Sequence, residues 1–371
     1  MSLHFRKKTK LVIGERTLME KLKKLREALA AAGVDGIVIA SNFNRRYISN
    51  FTGSAGVVLI SGEEAKFITD FRYTEQAASQ CVGFDIVKHT GPIQKEVAEQ
   101  AEKLGIKKLA FEQDYMTFTE YRLYETTFKG ELVPVSGIVE KLRLIKSSEE
   151  IKILKEAAEI ADAAFAHILK FITVGKTELE VSNELEFFMR KAGAVSSSFD
   201  TIVASGTRSA LPHGVASEKV IEAGDFVTMD FGAYYKGYVS DITRTIAVGK
   251  PDDKLKEIYD IVLQAQLKGM EGIKPGLTGI QADALTRDYI SAHGYGEYFG
   301  HSTGHGIGLE VHEGPGLSYK SETVLEPGMV VTVEPGIYIP GLGGVRIEDD
   351  TIITDDHNEA LTHSPKELII L

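Results

Sequence analysis

The segment EAGDFVTMDFGAYY (residues 222–235) recurs 104 positions later as EPGMVVTVEPGIYI (residues 326–339). Six residues are identical in this register, and Asp230 aligns with Glu334. Runs of β-branched and apolar residues bounded by glycine are typical of strands that enter a turn. The two segments therefore predict two related β-hairpins, each with an acidic residue at the same place.

The similarity extends on both sides of these segments. With three more loop residues, GYVSDITRT (237–245) aligns with GVRIEDDTI (344–352), so that Asp241 falls on Glu348. Upstream, GKTELEVSNELEFFMRKAG (175–193) aligns with GLTGIQADALTRDYISAHG (276–294), and each copy is typical of a helix ended by glycine. We interpret this pattern as a duplicated helix–helix–hairpin unit in which each hairpin carries two carboxylates.

The turn of the first hairpin decides whether its two acids meet. A two-residue loop of Tyr235 and Lys236 would place Asp230 directly opposite Asp241. A loop of Lys236 and Gly237 would make the acids diagonal neighbours on one face, whereas a three-residue loop would place them on opposite faces. The sequence leaves these three alternatives open.

Carboxylates within such apolar strands indicate a metal site. Paired buried acids repel each other and resist ionisation unless a cation lies between them. Glu334 ends an apolar strand, and Arg346 shares a predicted face with Glu348, where it could brace a carboxylate or a substrate. Four carboxylates with one or more imidazoles suit two divalent metals; we expect Mn²⁺, with Co²⁺, Fe²⁺ and Zn²⁺ as alternatives. Two ions ~3.5–4 Å apart would bind a bridging hydroxide and polarise a carbonyl, so the predicted chemistry is hydrolysis.

Three histidines lie in the glycine-rich run FGHSTGHGIGLEVHEGPG (299–316). His301 and His305 have the spacing of a metal-binding helix, but the intervening glycines disfavour a helix and predict extended backbone close to a substrate. The later part of the run alternates, which predicts that Val311 and His312 point to opposite sides. The residues alone do not decide which histidine binds metal.

The first third of the chain has a different pattern. Strand-like runs such as DGIVIAS (35–41) and GVVLIS (56–61) alternate with helical runs such as QKEVAEQAEKLG (94–105). We predict a small α/β domain over residues 1–140 and a second domain over residues 141–371. The first long helix of the second domain should begin at a cap provided by Ser147 or Ser148.

The composition excludes several classes of protein. The formal charge of −11, with basic residues dispersed among acids, argues against a nucleic-acid partner, and we expect none. A single cysteine, Cys81, excludes internal disulfides and Cys-rich zinc sites, which favours a cytoplasmic location. The N-terminal segment has no apolar stretch of signal-peptide length, and no run in the sequence approaches the ~20 residues of a membrane span, so we expect no membrane association.

Several motifs together resemble one known superfamily. HSTGHGIGLEVHEGP, with MDFGAYYKGYVSDITRT before it and VEPGIY and GVRIED after it, resembles the catalytic domain of the creatinase/prolidase/methionine aminopeptidase superfamily, the "pita-bread" metallopeptidases. YISNFTGSAG (47–56) and TDFRYTEQA (69–77) resemble its creatinase-type N-terminal domain, and KLRLIKSSEEI (141–151) resembles its connecting segment. This domain favours the Xaa-Pro aminopeptidase (aminopeptidase P) and prolidase branch over methionine aminopeptidases, which lack it. Ser302 and Phe71 stand where glycine is more usual, and neither is a ligand position.

The resemblance implies a fold, an activity and a set of site residues. The fold would be a two-domain α/β protein, with a creatinase-like α/β domain followed by a pita-bread α+β domain that has an internal pseudo-two-fold repeat. The activity would be hydrolysis of the bond between an N-terminal residue and proline, in a homodimer. The implied metal ligands are Asp230, Asp241, His305, Glu334 and Glu348. The implied catalytic residues are Glu334 as general base, His213 and His312 as stabilisers of the oxyanion and substrate backbone, His301 as a pocket residue, and Arg346 as a brace.

Two other functions are compatible with this fold. The first is a catalytically silent relative that binds peptides or proteins, and the second is a metal-free amidinohydrolase like creatinase. Both would have lost metal ligands, whereas all five positions are filled here. The sequence does not decide between dipeptides and longer peptides as substrates.

Overall fold

The computed structural model describes residues 13–371, so residues 1–12 of the predicted first domain lie outside the described part. Internal contacts divide the chain into two compact units, of which the first ends at Arg143 and the second is Leu144–Leu371. The division falls three residues beyond the predicted boundary at residue 140. Among residues 13–371, no helix has the length and apolar character that a membrane span requires.

The first unit is a six-stranded mixed sheet packed with helices. Its strands are β1 (Gly36–Ile39), β2 (Val57–Ser61), β3 (Ala65–Thr69), β4 (Asp85–Lys88), β5 (Lys108–Glu112) and β6 (Glu131–Val135). Its helices are α1 (Glu15–Ala31), α2 (Asn42–Ser49), α3 (Thr74–Gln80), α4 (Ile93–Lys103), α5 (Phe118–Thr127) and α6 (Ile138–Arg143). The strand order is β4-β3-β2-β1-β5-β6, in which β1, β5 and β6 are parallel. The predicted α/β character of this region is confirmed, although the sequence pattern did not reveal α2 or β6.

The second unit is an α+β domain. Its helices are α7 (Ser148–Ile168), α8 (Glu178–Lys191), α9 (Asp253–Gly272) and α10 (Gly279–Ala292). Its first strands are β7 (Ser196–Ser197), β8 (Ile202–Ser205), β9 (Phe226–Phe231), β10 (Ala233–Tyr235), β11 (Tyr238–Val239) and β12 (Ile242–Ala247). Its later strands are β13 (Gly304–Gly306), β14 (Glu313–Leu317), β15 (Val330–Val333), β16 (Gly336–Ile339), β17 (Gly343–Arg346), β18 (Asp349–Ile353) and β19 (Asn358–Ala360).

The duplicated unit predicted from the sequence is present in this domain. In the first half β9 lies between β12 and β8, and in the second half β15 lies between β18 and β13. The helices α8 and α10 both begin with a capping box, in which the side chains of Thr177 and Thr278 accept the N–H group three residues on. Gly193 and Gly294 follow the helix ends with φ of +115° and +84°, a conformation that favours glycine. The internal pseudo-two-fold repeat is therefore confirmed.

The start of α7 selects one of the two predicted caps. The Ser147 hydroxyl accepts the N–H of Glu150, and the Glu150 carboxylate accepts the N–H of Ser147 at 2.8 Å. This reciprocal pair places the first helical residue at Ser148. In the first half of the domain, buried residues of α7 and α8 pack with residues of β9 and β12 in one apolar core. This core supports the sheet whose strand ends carry the candidate site.

Candidate metal centre

A cavity of about 390 Å³ in the second unit contains every site residue predicted above. Carboxylates, imidazoles and one guanidinium share its wall with a few apolar side chains. The lining residues are Phe199, Ile202, Pro212, His213, Asp230, Asp241, His301, Ser302, Gly304, His305, Val311, His312, Gly316, Ser318, Glu334, Arg346 and Glu348. Residues from both halves of the duplicated unit thus meet in one cavity.

The first hairpin turns at Lys236 and Gly237. These residues have φ of +49° and +92°, and Tyr235 pairs with Tyr238 across the turn. The strands β9 and β12 continue this register, and Asp230 pairs with Thr243. Asp241 lies two residues before Thr243, so it is the diagonal neighbour of Asp230. The second of the three alternatives is therefore correct, and direct opposition of the two acids is wrong.

The acids that precede β12 and β18 are buried, and each makes one hydrogen bond to the other hairpin. Asp241 directly precedes β12, and its N–H donates to Asp350 at 2.9 Å. Glu348 directly precedes β18 and accepts the Thr243 hydroxyl at 2.6 Å. Asp241 is 4% exposed and Glu348 is 1% exposed, so water solvates neither charge effectively.

Burial opposes the negative charge on these acids. It raises the pKa of Glu334 to about 8, despite the opposing effect of Arg346. Burial, followed by the charge of the neighbouring acids, raises the pKa of Asp241 and of Glu348 well above the usual range of a carboxyl group. One carboxylate oxygen each of Asp230 and Asp241 is buried without a hydrogen-bond partner among the described residues. The site therefore has acceptor atoms and negative charge in excess of its donors.

His305 presents a lone pair to these acids. It lies on the extended strand β13, as the glycine content predicts, and its ring Nδ1 faces the Gly306 carbonyl at 3.1 Å. Because a carbonyl only accepts, Nδ1 carries the proton and Nε2 is left as an acceptor. This Nε2 lies 3.3 Å from Glu334 Oε1 and 3.9 Å from Asp241 Oδ2. Burial, followed by the neighbouring His312, lowers the pKa of His305 to about 4. The ring is therefore neutral at neutral pH, and its Nε2 has no proton to donate to the carboxylate oxygens that it faces.

The donor set fits a divalent cation. Ligand atoms of Asp241, His305 and Glu348 all lie within 4.8 Å of one another, and Asp230 and Glu334 line the same cavity. A histidine that donates one ring N–H to a carbonyl and offers the other nitrogen has the usual arrangement of a metal ligand. Oxygen-rich sites without thiolate suit hard or borderline divalent ions. A cation here would satisfy the unpaired oxygens and the facing lone pairs together.

Arg346 links Asp230 to Tyr338 and, through it, to His301. Its Nη2 donates to Asp230 Oδ2 at 2.6 Å, and its Nη1 donates to the Tyr338 hydroxyl at 2.8 Å. Tyr338 in turn lies 2.8 Å from His301 Nε2, while His301 Nδ1 faces the Ser302 carbonyl. The chain of hydrogen bonds thus runs from Arg346 through the Tyr338 hydroxyl to a neutral His301. Burial, followed by Arg346, lowers the pKa of His301 to about 4, which agrees with this neutral form.

The other two histidines lie on irregular segments. His213 is on the exposed loop that follows β8, and His312 is exposed, with its ring centroid 4.2 Å from that of His305. Val311 and His312 both line the cavity, so the predicted alternation of this segment is wrong. The reason is that the chain bends between β13 and β14 and does not form a strand there.

Three functional neighbours were not identified from the sequence. Tyr338 and Thr243 hold site residues through their hydroxyls, and Asp350 holds the backbone of Asp241. The repeat contained one signal, because Tyr338 aligns with Tyr234 as an identical residue. Thr243 carried no such signal, and the alternation that puts Asp350 on the same predicted face as Glu348 does not identify its partner. Both partners lie on the other hairpin, more than 100 residues away.

Comparison with known proteins agrees with this architecture. Residues 152–355 match metallopeptidase family M24, and residues 21–145 match the creatinase/prolidase N-terminal domain. The chain is 46% identical to an Xaa-Pro dipeptidase of Pyrococcus horikoshii over 94% of this chain and 99% of that protein. A solved Xaa-Pro dipeptidase from Bacillus anthracis is 70% identical, with a TM-score of 0.94 over 95% of this chain and all of the other. A solved X-Pro aminopeptidase from Thermotoga maritima is 41% identical, with a TM-score of 0.87 over 93% of this chain and all of the other.

These matches span both units, and the family is one of divalent-metal peptidases. The chain therefore belongs to metallopeptidase family M24 and carries the family's creatinase/prolidase N-terminal domain.

Proposed function

We propose that this protein is a metal-dependent Xaa-Pro dipeptidase, which hydrolyses the bond between an N-terminal residue and proline. The observation that carries the proposal is the cavity in which the His305 lone pair faces Glu334 and Asp241. In the same cavity, Asp230 and Asp241 each have a buried oxygen without a hydrogen-bond partner among residues 13–371. Such a group of atoms suits divalent cations. A chain of metallopeptidase family M24 that keeps all the proposed metal ligands has the residues that metal-dependent peptide hydrolysis requires.

We further propose that two ions bind per chain and that Mn²⁺ is the natural one, with Co²⁺, Fe²⁺ and Zn²⁺ as alternatives. The proposed ligands are Asp230, Asp241, His305, Glu334 and Glu348. Charge supports two ions, because four ionised carboxylates offset two divalent cations. When bound, the ions would polarise the scissile carbonyl and lower the pKa of the attacking water.

Glu334 is the proposed general base. Its carboxylate lines the cavity, and its Oε1 lies 3.3 Å from Nε2 of His305, so that it would stand next to a water held by the ions. The Thr332 hydroxyl donates to Glu334 Oε1 at 3.3 Å, which helps to fix the carboxylate. Glu334 would take the proton of the attacking water and pass it to the leaving proline nitrogen.

The remaining polar residues would bind and orient the peptide. We assign His213 and His312 to the developing oxyanion and the substrate backbone, because both line the cavity on loops that follow the site strands. His301 would shape the pocket as a neutral ring fixed by Tyr338. Arg346 would act as a brace, since its guanidinium contacts both Asp230 and Tyr338.

Two observations favour dipeptides over longer peptides. The cavity of about 390 Å³ is near the lower end of the ~300–1,000 Å³ typical of ligand sites, which suits a small substrate. Relatives that are 46% and 70% identical are named Xaa-Pro dipeptidases, whereas the X-Pro aminopeptidase is 41% identical. We also propose that the protein is a homodimer located in the cytoplasm. Sedimentation of the purified chain would test the dimer.

The decisive experiment compares hydrolysis of Ala-Pro and Ala-Pro-Ala by protein loaded with Mn²⁺, Co²⁺ or Zn²⁺. We expect rapid cleavage of Ala-Pro and little cleavage of the tripeptide. Preferred cleavage of the tripeptide would replace the dipeptidase with an aminopeptidase. No cleavage of either, with less than one ion bound per chain, would favour a silent binding protein.

The role of Glu334 is tested by Glu334→Gln, which keeps the side-chain volume and removes the base. We expect turnover of Ala-Pro to fall by about 10²-fold or more, since general bases contribute typically 10²–10⁴-fold. Glu322→Gln changes an exposed glutamate of the same domain and is the matched control. Near-normal activity of Glu334→Gln would contradict the assignment.

A further inference from the structure

The position of His213 depends on the backbone of its loop. Residues 206–216 contain several exposed residues, and His213 itself is exposed. Among residues 13–371, no side chain or backbone group forms a hydrogen bond with the His213 ring. The ring therefore reaches the cavity only because the loop is held in one conformation.

A single buried carboxylate joins the two ends of this loop. Glu178, the first residue of α8, is 0% exposed. Its Oε1 accepts the N–H and the hydroxyl of Ser205, at 2.7 and 2.9 Å. Its Oε2 accepts the N–H and the hydroxyl of Ser217, at 3.1 and 2.6 Å. Ser205 ends β8 before the loop and Ser217 follows it, so the carboxylate closes the loop at its base.

The same carboxylate also holds the middle of the loop. Arg208 Nε donates to Glu178 Oε2 at 3.0 Å, and Arg208 Nη2 donates to the Val215 carbonyl at 2.7 Å. The Val215 N–H donates to the His213 carbonyl at 2.9 Å. A continuous set of hydrogen bonds therefore connects Glu178 with the backbone of His213.

These bonds are of the strong kind. A hydrogen bond to an ionised group is roughly twice as strong as one between neutral groups, and a buried acceptor cannot exchange its donors for water. Apolar packing holds the loop at few points, because only Ser209 and Gly214 are buried within residues 206–216 and Ala216 is its partly buried contact with the core.

Two other hydrogen bonds hold single points of the loop: the Gly344 N–H donates to the Ser209 hydroxyl at 2.9 Å, and Arg346 Nη1 donates to the Pro212 carbonyl at 3.2 Å. The Glu178 carboxylate differs from them because it binds both ends of the loop and Arg208 in its middle.

We propose that Glu178 is a positioning residue, which holds the loop 206–216 so that the His213 ring faces the substrate. This inference rests on the proposed function, because that function assigns His213 to the peptide. Glu178 itself does not line the cavity and touches no reacting atom. Its effect on catalysis is therefore expected to pass through His213.

The second half of the duplicated unit offers a matched control. Asp283 lies on α10, the repeat partner of α8, and is 1% exposed. It accepts the N–H of Thr303 at 2.9 Å and forms two hydrogen bonds with Arg287. Arg287 Nη2 donates to the His301 carbonyl at 2.7 Å. Asp283 thus holds the segment of His301 and makes no contact with the loop of His213.

A double-mutant cycle tests the path through His213. We expect Glu178→Gln to lower kcat/KM for Ala-Pro by about 10- to 100-fold, the size of effect caused by misplacing a catalytic group by about 1 Å. In a His213→Ala background, the same change should lower kcat/KM by less than about 3-fold, because the group that it positions is absent. An equal loss in both backgrounds would overturn the proposal.

Hydrogen exchange gives a second measurement that does not require activity. Glu178→Gln should increase amide exchange in residues 206–216 and leave residues 299–303 unchanged, and Asp283→Asn should have the opposite pattern. If Glu178→Gln does not fold, Arg208→Met removes the central link from a partly exposed position. Unchanged exchange in residues 206–216 of a folded variant would refute the proposal.

The two measurements separate this inference from the proposed function. An inactive wild-type protein, or a fully active His213→Ala variant, would contradict the proposed function or the role of His213. The exchange measurement would still decide whether Glu178 holds the loop. If Glu178→Gln increases exchange in residues 206–216 without lowering kcat/KM, Glu178 holds the loop but the action of His213 does not depend on it. That result would overturn the proposed effect of Glu178 on catalysis.

Discussion

Removal of the metals should make the stability of the second unit fall as the pH rises above neutrality. In the metal-free protein, burial raises the pKa of Glu334 from 4.5 to about 8. Between these two pH values the folded state holds a proton that the unfolded state has released. Stability is then lost with rising pH, because the unfolded state binds fewer protons. Asp241 and Glu348, whose pKa values are also raised, change stability in the same direction.

The histidines set the lower limit of the useful pH range. The pKa of His301 and of His305 is lowered from 6.5 to about 4, so these rings are neutral in the folded state while the unfolded chain gains protons below pH 6.5. Their contribution makes stability fall as the pH falls below 6.5, which opposes the carboxylate effect. Above pH 6.5 the histidines are largely neutral in both states, and the carboxylates dominate.

The magnitude follows from the range between pH 6.5 and about 8. Each pH unit is worth about 1.4 kcal/mol for one proton, so Glu334 alone lowers the free energy of unfolding by about 2 kcal/mol across this range. For a unit of the size of Leu144–Leu371, this corresponds to a fall in Tm of about 4–8 °C. Protein loaded with Mn²⁺ should lack this fall, because bound cations keep the carboxylates ionised.

The measurement is a set of thermal melts of chelated and loaded protein in the same buffers. The difference in Tm between the two forms should widen steadily from pH 6.5 to pH 8. In chelated Glu334→Gln, the dependence should be weaker by about 1.4 kcal/mol per pH unit, because one titrating group is gone. A Tm of the chelated wild type that stays constant or rises over this range would refute the reasoning, since the acids would then be ionised without a cation.

Two further substitutions test the structure around the site. Thr243→Val removes the hydroxyl that donates to Glu348 at 2.6 Å, and we expect Mn²⁺ affinity to fall about 10- to 100-fold in a metal titration; unchanged affinity would contradict the role of Thr243. Gly304→Ala would place a Cβ atom 1.9 Å from the Thr332 carbonyl oxygen. We expect a loss of about 1–3 kcal/mol or more in thermal stability, together with reduced activity, because neither strand can move freely. Gly300→Ala, which meets no atom within 4 Å, is the control, and an equal loss in both variants would show that the clash is not the cause.

The features that the sequence by itself determined are local or repetitive. The starts of α8 and α10 follow from the capping residues Thr177 and Thr278 directly before them, and the glycines after each helix mark its end. The extended backbone around His305 follows from its glycine neighbours, which disfavour a helix. The duplicated hairpins were visible because both halves keep the same strand and turn pattern, and the motifs they carry were sufficient for the family.

The tertiary structure decided what depends on contacts between distant segments. Only the folded chain selects the Lys236–Gly237 turn, because several turns are compatible with the same alternating pattern. Only packing of the two hairpins brings Thr243 to Glu348 and Arg346 to Asp230, pairs that are separated by 105 and 116 residues. Local sequence determines which backbone conformation a segment prefers, whereas the partners of a buried polar side chain are set by which segments pack against it. The hydrogen bonds of Glu178 to both ends of the His213 loop likewise depend on which segments pack together, and only the tertiary structure shows them.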